Sequence, residues 1–185
     1  HWVLKHEVWD WFIFHKLTLA DTITLSSGHY RKVYLSNYEF GGDSELVGYF
    51  REDTTTGKAW FQGMSGNTPK LIMDLSLTEG SSFYVSMYGL PSQNYSVTGR
   101  DTINGRVVVT TDFVYGGGFI HDTLRFIEGI GPTASLLYQL GTEDANAINF
   151  TFGFLACSAF QSFSNVFEWL PGSPTCGPTT IEVSP

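Results

Sequence analysis

Asp101-Thr102-Ile103-Asn104-Gly105-Arg106-Val107-Val108-Val109-Thr110-Thr111-Asp112 is the stretch that decides the fold class. Asn-Gly suits a type I′ turn, because both central residues of that turn need positive φ. A β-branched run follows at once, and such side chains fit a pleated strand better than a helix. The stretch predicts a tight antiparallel hairpin. The same grammar recurs on both sides of it, which makes the chain a series of short strands joined by turns.

Towards the N-terminus, residues 21–25 alternate, turn at Ser26-Ser27-Gly28 and resume over 29–35. Residues 46–51 and 58–62 flank Glu52-Asp53-Thr54-Thr55-Thr56-Gly57 as a second hairpin. Residues 70–77, 82–88 and 95–99 read as further strands. The first fourteen residues, HWVLKHEVWDWFIF, fit either a docked strand or a short helix. Towards the C-terminus, 106–112 and 122–127 read as strands, with Tyr115-Gly116-Gly117-Gly118 as a flexible loop between them. Residues 136–138 and 149–157 read as the last strands, and 143–146 as an exposed loop. Residues 159–169 read as a final strand or an irregular packed segment. Nine to eleven short strands without a long helix predict an all-β, antiparallel meander forming a barrel-like or sandwich domain. Residues 1–170 form one domain. Residues 171–185 carry four prolines and read as an extended linker.

Composition agrees. Phe 15, Tyr 9, Trp 5 and Gly 20 with few charges describe an aromatic, turn-rich β protein. Ten basic against eighteen acidic residues give a net charge of −8, which repels phosphate backbones and argues against a nucleic-acid partner. No run of eighteen apolar residues offers a spanning helix. The chain begins at His1, which fits a processed exported protein or a piece of a longer one. Cys157 and Cys176 are expected to pair as one disulfide in an oxidising compartment.

Candidate chemistry is sparse. His1, His6, His15, His29 and His121 lack the spacing of a zinc helix. No Gly-x-Ser-x-Gly occurs, and Glu52-Asp53 and Glu143-Asp144 sit in turns. The oxygen-rich loops 41–45 and 143–146 do not follow the EF-hand spacing. These features assign no catalytic, metal or cofactor residue and imply no cofactor. One further stretch stands apart: Phe126-Ile127-Glu128-Gly129-Ile130-Gly131-Pro132. Phe126, Glu128, Gly129 and Gly131 read as a structural motif, a strand ending in a bend, with Glu128 accepting backbone N–H groups there. A buried general acid is the alternative reading of Glu128. On the structural reading, Glu128→Gln is expected to harm folding or secretion before any binding.

The order of motifs resembles a known family. Asp21-Thr22-Ile23 leads into His29-Tyr30-Arg31-Lys32-Val33-Tyr34. Gly48-Tyr49-Phe50-Arg51-Glu52-Asp53 is followed by Gly57-Lys58-Ala59-Trp60-Phe61. Leu71-Ile72-Met73-Asp74-Leu75-Ser76-Leu77 precedes Glu79-Gly80, and Asp101-Thr102-Ile103-Asn104-Gly105-Arg106 precedes the 126–131 motif. Together they resemble a family of secreted Bacteroidota proteins with a W-I-E-G-I-G-S motif, here with Phe126 for Trp and Pro132 for Ser. The resemblance covers about residues 18–176. It implies export by the type IX secretion system through a C-terminal sorting domain and residence outside the cell or on its surface, and it offers no established catalytic residues to carry over. In such bacteria Asp-Thr followed by an aliphatic residue resembles an O-glycosylation acceptor, a pattern that Thr22, Thr102 and Thr123 match.

The expected function is a non-catalytic secreted or cell-surface β module, acting in adhesion or as a subunit or accessory of a surface assembly. Its expected partners are other surface or secreted proteins, itself included. A carbohydrate- or small-ligand-binding module is the second reading, with Trp2, Trp9, Trp11, Trp60 and Trp169 as the aromatic platform. A hydrolase with an unrecognised site is the third.

Overall fold

A computed structural model of the chain describes residues 2–8, 11–37, 43–66, 68–87, 91–117, 120–140 and 154–158. These residues form two antiparallel sheets. The first runs β12 (Phe154–Ser158), β1 (Trp2–Val8), β2 (Trp11–Leu25), β3 (Gly28–Asn37), β4 (Glu45–Asp53), β5 (Lys58–Gly63), β6 (Lys70–Asp74). The second runs β11 (Gly131–Pro132), β10 (Ile120–Ile127), β9 (Arg106–Gly117), β8 (Gln93–Ile103), β7 (Ser82–Val85). Within each sheet neighbours in sequence are neighbours in space, so the chain is all-β and a meander. Only β12 returns from a distance, to pair with β1.

The deciding hairpin has the geometry that its sequence asks for. Asn104 has φ +51 and Gly105 φ +77, and Ile103 faces Arg106 across the turn. The N-terminal fourteen residues contribute β1 and the start of β2, as a hairpin pairing Val8 with Trp11.

Two strand readings and one loop reading are corrected. The run 70–77 ends as a strand at Asp74, whose carboxylate accepts the Ser76 N–H (2.9 Å) and Oγ–H (2.5 Å) and so bends the chain. Glycines 116 and 117 belong to β9, with Gly116 paired to His121, because a ladder partner overrides their loop propensity. Residues 136–138 are a buried turn. The expected loop at 143–146, the segment 159–169 and the linker 171–185 lie outside the described residues.

Alternation places the core. Along β5, Ala59, Phe61 and Gly63 are buried, while Lys58, Trp60 and Gln62 on the other face are half-buried. The second sheet curls until rings from β7 and β10 meet: Phe83 and Phe126 pack edge to face at 4.7 Å between centroids. The stretch 133–140 passes inside, with every residue buried. A non-strand backbone can be buried only if its polar groups find partners. Here Leu137 N–H donates to Ser135 Oγ (3.0 Å), Tyr138 N–H to Ser135 O (3.2 Å) and Leu140 N–H to Leu137 O (3.0 Å).

Two buried tyrosines are expected to make the fold alkali-sensitive. Burial pushes the Tyr138 hydroxyl well above its ordinary range. Burial, and then the Asp122 charge, does the same to Tyr115. Both stay neutral when folded but ionise near pH 10 when unfolded. Their contribution is fully present below that pH and is lost as pH rises towards the folded values. Each tyrosine should cost about 1.4 kcal/mol per pH unit above roughly pH 10. Urea midpoints measured across that range should fall steeply for the parent chain and less steeply for Tyr138→Phe.

Candidate functional site

The 126–132 motif terminates β10 by continuing the ladder with a side chain. Glu128 N–H donates to Val107 O (2.9 Å), as a strand residue would. The return bond comes from Val107 N–H to Glu128 Oε2 (2.9 Å), so the carboxylate stands where a strand carbonyl would stand. The main-chain carbonyl of Glu128 is turned away and accepts Arg106 Nη1–H (2.8 Å). The turn is closed by Ile130 N–H to Ile127 O (3.0 Å), with Gly129 at φ +73 in the position where a type II turn needs positive φ. A β-carbon on Gly129 would fall against Arg106 Nη1. Phe126 is buried, and Gly131 (φ +116) opens the two-residue β11.

Glu128 itself is exposed, so it is not a buried acid. Its geometry also changes the expected effect of substitution. Glutamine keeps an acceptor for Val107 N–H, whereas alanine removes it. Glu128→Ala should therefore cost about 1–2 kcal/mol and Glu128→Gln under about 1 kcal/mol, read by chemical denaturation.

A second polar group was not visible in the sequence. Gln139 lies between β6 and β7, the facing edges of the two sheets. Its Nε2 donates to Tyr84 O (2.9 Å) and Leu71 O (3.3 Å), and its Oε1 accepts Ser86 N–H (2.8 Å). The side-chain amide thus pairs with β7 as a neighbouring strand would and reaches β6 with its second hydrogen. Tyr138 adds an O–H bond to Ile72 O (2.9 Å). Thr133 does similar work at β10: its Oγ1 donates to Thr123 O (3.0 Å) and accepts Arg125 N–H (2.9 Å). The signal that could have found Gln139 is a polar residue next to the apolar run Leu136-Leu137-Tyr138.

The remaining expected site residues are scattered. Thr22 and Thr102 are exposed on β2 and β8, and Thr123 is half-buried on β10. Thr102 pairs with Val107, the residue that Glu128 holds. Of the five tryptophans, Trp60 alone has a described side chain. It is half-buried, with the Arg51 guanidinium 4.3 Å from its ring centroid. Trp2 and Trp11 lie on β1 and β2 by backbone position, while Trp9 and Trp169 lie outside the described residues. Cys157 falls on β12, and Cys176 lies outside the described residues, so the expected disulfide does too. Among the described residues no group of three or more His, Cys, Asp or Glu could hold a metal ion.

Comparison of the chain with known protein families, with curated proteins and with solved structures gives no match.

Proposed function

We propose that the chain is a non-catalytic secreted or cell-surface β module that acts in adhesion or as a subunit of a surface assembly. The observation that carries this reading is the use made of Glu128. The acid that the sequence singles out is engaged in holding the Val107 amide. Other acids have similar work. Asp74 is buried with Lys58 Nζ at 3.4 Å and the Ser76 bonds, and Asp122 accepts Thr123 N–H (2.7 Å) beside Arg125 (3.6 Å). A stiff module whose strand edges are closed by its own side chains can present its surfaces without pairing indiscriminately. The resemblance to type IX-exported Bacteroidota proteins supports placing those surfaces outside the cell, where a Cys157–Cys176 disulfide would persist.

Carbohydrate binding is the second reading, favoured by half-buried Trp60 on an outer sheet face. Sedimentation velocity from low micromolar to the highest soluble concentration, with and without extracts of surface proteins, tests the first. Concentration-dependent association or a discrete complex is expected. A chain that stays monomeric and captures nothing contradicts an assembly role.

A further inference from the structure

We propose that the outer face of the seven-stranded sheet binds an acidic polysaccharide, a chain of uronate sugars. The proposal rests on the adhesion reading for its setting and names the ligand class. The face is built from Lys32 and Tyr34 on β3, Tyr49 and Arg51 on β4, and Trp60 and Gln62 on β5. Register makes them one patch: Tyr49 lies opposite Lys32 on one side and Gln62 on the other, and Arg51 lies opposite Trp60. All six are half-buried, while the residues alternating with them, Val33, Leu35, Phe50 and Phe61 among them, form the core.

Charge is the first argument. The chain carries −8 overall, yet Lys32 and Arg51 stand together here with half-buried Lys16 on β2 beside them; the acid Asp53 lies on the same face, two residues beyond Arg51 and opposite Lys58, with its carboxylate held by Thr55 N–H and Thr56 Oγ1–H. One cation stands on each of β2, β3 and β4, strands that lie about 4.7–4.9 Å apart. A polyuronate, with one carboxylate per ring, suits that sparse array. A densely charged polyanion would also meet the acidic remainder of the surface and be repelled.

Shape and order are the second. Tyr34 and Tyr49 offer flat, amphipathic rings on a β surface, suited to the apolar faces of sugar rings, while Trp60 serves as the shelf on which a guanidinium rests. Arg51 is already fixed: Nη1 donates to Ser27 O (2.7 Å), and the guanidinium lies 4.3 Å from the Trp60 centroid and 5.4 Å from that of Tyr30. A pre-ordered guanidinium loses little freedom on meeting a carboxylate. Beneath the face two buried polar atoms, Arg51 Nε and Gln62 Oε1, have no hydrogen-bond partner among the described residues.

The test is a tryptophan-fluorescence titration of the whole chain with polygalacturonate, neutral dextran and dextran sulfate. Saturable binding of polygalacturonate is expected, at least about tenfold tighter than of dextran. It should weaken as salt is raised past about 0.1 M, where screening acts over about 10 Å. Lys32→Glu and Tyr49→Ser should each weaken binding about tenfold while leaving the thermal midpoint nearly unchanged. Arg51→Gln should abolish binding, but Arg51 also holds the Ser27 turn, so Lys32→Glu and Tyr49→Ser are the discriminating variants. Equal binding of dextran, stronger binding of dextran sulfate that ignores Tyr49→Ser, or polygalacturonate binding unaffected by Lys32→Glu would each overturn the proposal. So would self-association that Lys32→Glu abolishes without any glycan binding, which would assign the face to a second copy. Failure to bind polygalacturonate removes the ligand class alone; the adhesion or assembly reading is judged by its sedimentation test.

Discussion

Replacing Gln139 with leucine is expected to lower the unfolding free energy by about 3–5 kcal/mol, the largest loss expected from a single polar substitution among the described residues. Leucine matches the buried volume but pairs with nothing. Tyr84 O, Leu71 O and Ser86 N–H would each lose the partner that the side-chain amide now supplies. A buried polar group left without a partner costs about 1–3 kcal/mol, and local hydration would recover part of the sum. Gln139→Glu discriminates further. It keeps an acceptor for Ser86 N–H but loses both donors and brings a charge into the interior, so it should destabilise at neutral pH and recover partly in acid. Urea unfolding of the three proteins measures this directly.

Gly48→Ala comes second, at about 3 kcal/mol and a thermal midpoint lower by roughly 6–12 °C. Gly48 is buried on β4 between Val33 of β3 and Gly63 of β5. A β-carbon there would strike Gln62 O and lie 2.5 Å from Phe61 Cζ and 2.7 Å from Cε1. The Gln62 carbonyl is strand backbone, and Phe61 is fully buried in the core, so neither can move aside cheaply. Calorimetry on Gly48→Ala checks it; a midpoint unchanged from the parent would mean that β4 and β5 can separate without cost.

The all-β class and the meander were legible because their signals are local. Asn104-Gly105 specifies its turn within two residues, and β5 alternates without interruption. The bend after Ile127 was legible from Gly129 and Gly131 for the same reason. Its partner was not, because Val107 lies 21 residues from Glu128 in sequence. The Gln139 junction spans still more: 53 residues to Ser86 and 68 to Leu71. No periodicity reports a side chain that stands in for a strand. Leu136-Leu137-Tyr138 was misread because a three-residue apolar run fits a strand and a buried turn equally well. The face proposed to bind a polyuronate was only partly legible. Trp60 was visible as an aromatic, but its neighbours Lys32, Tyr49 and Arg51 come together through register, which depends on a bulge between Val33 and Tyr34.

One principle links the motif and the junction: side chains that could be taken for chemistry complete the backbone bonding of strand ends and edges. Amide hydrogen exchange at Val107 and Ser86 tests it most directly, since Glu128 Oε2 and Gln139 Oε1 are their acceptors. Both amides should exchange slowly in the parent chain. Val107 should become fast in Glu128→Ala alone, and Ser86 fast in Gln139→Leu alone. Fast exchange of both amides in the parent chain, or protection unchanged in both variants, would contradict the account.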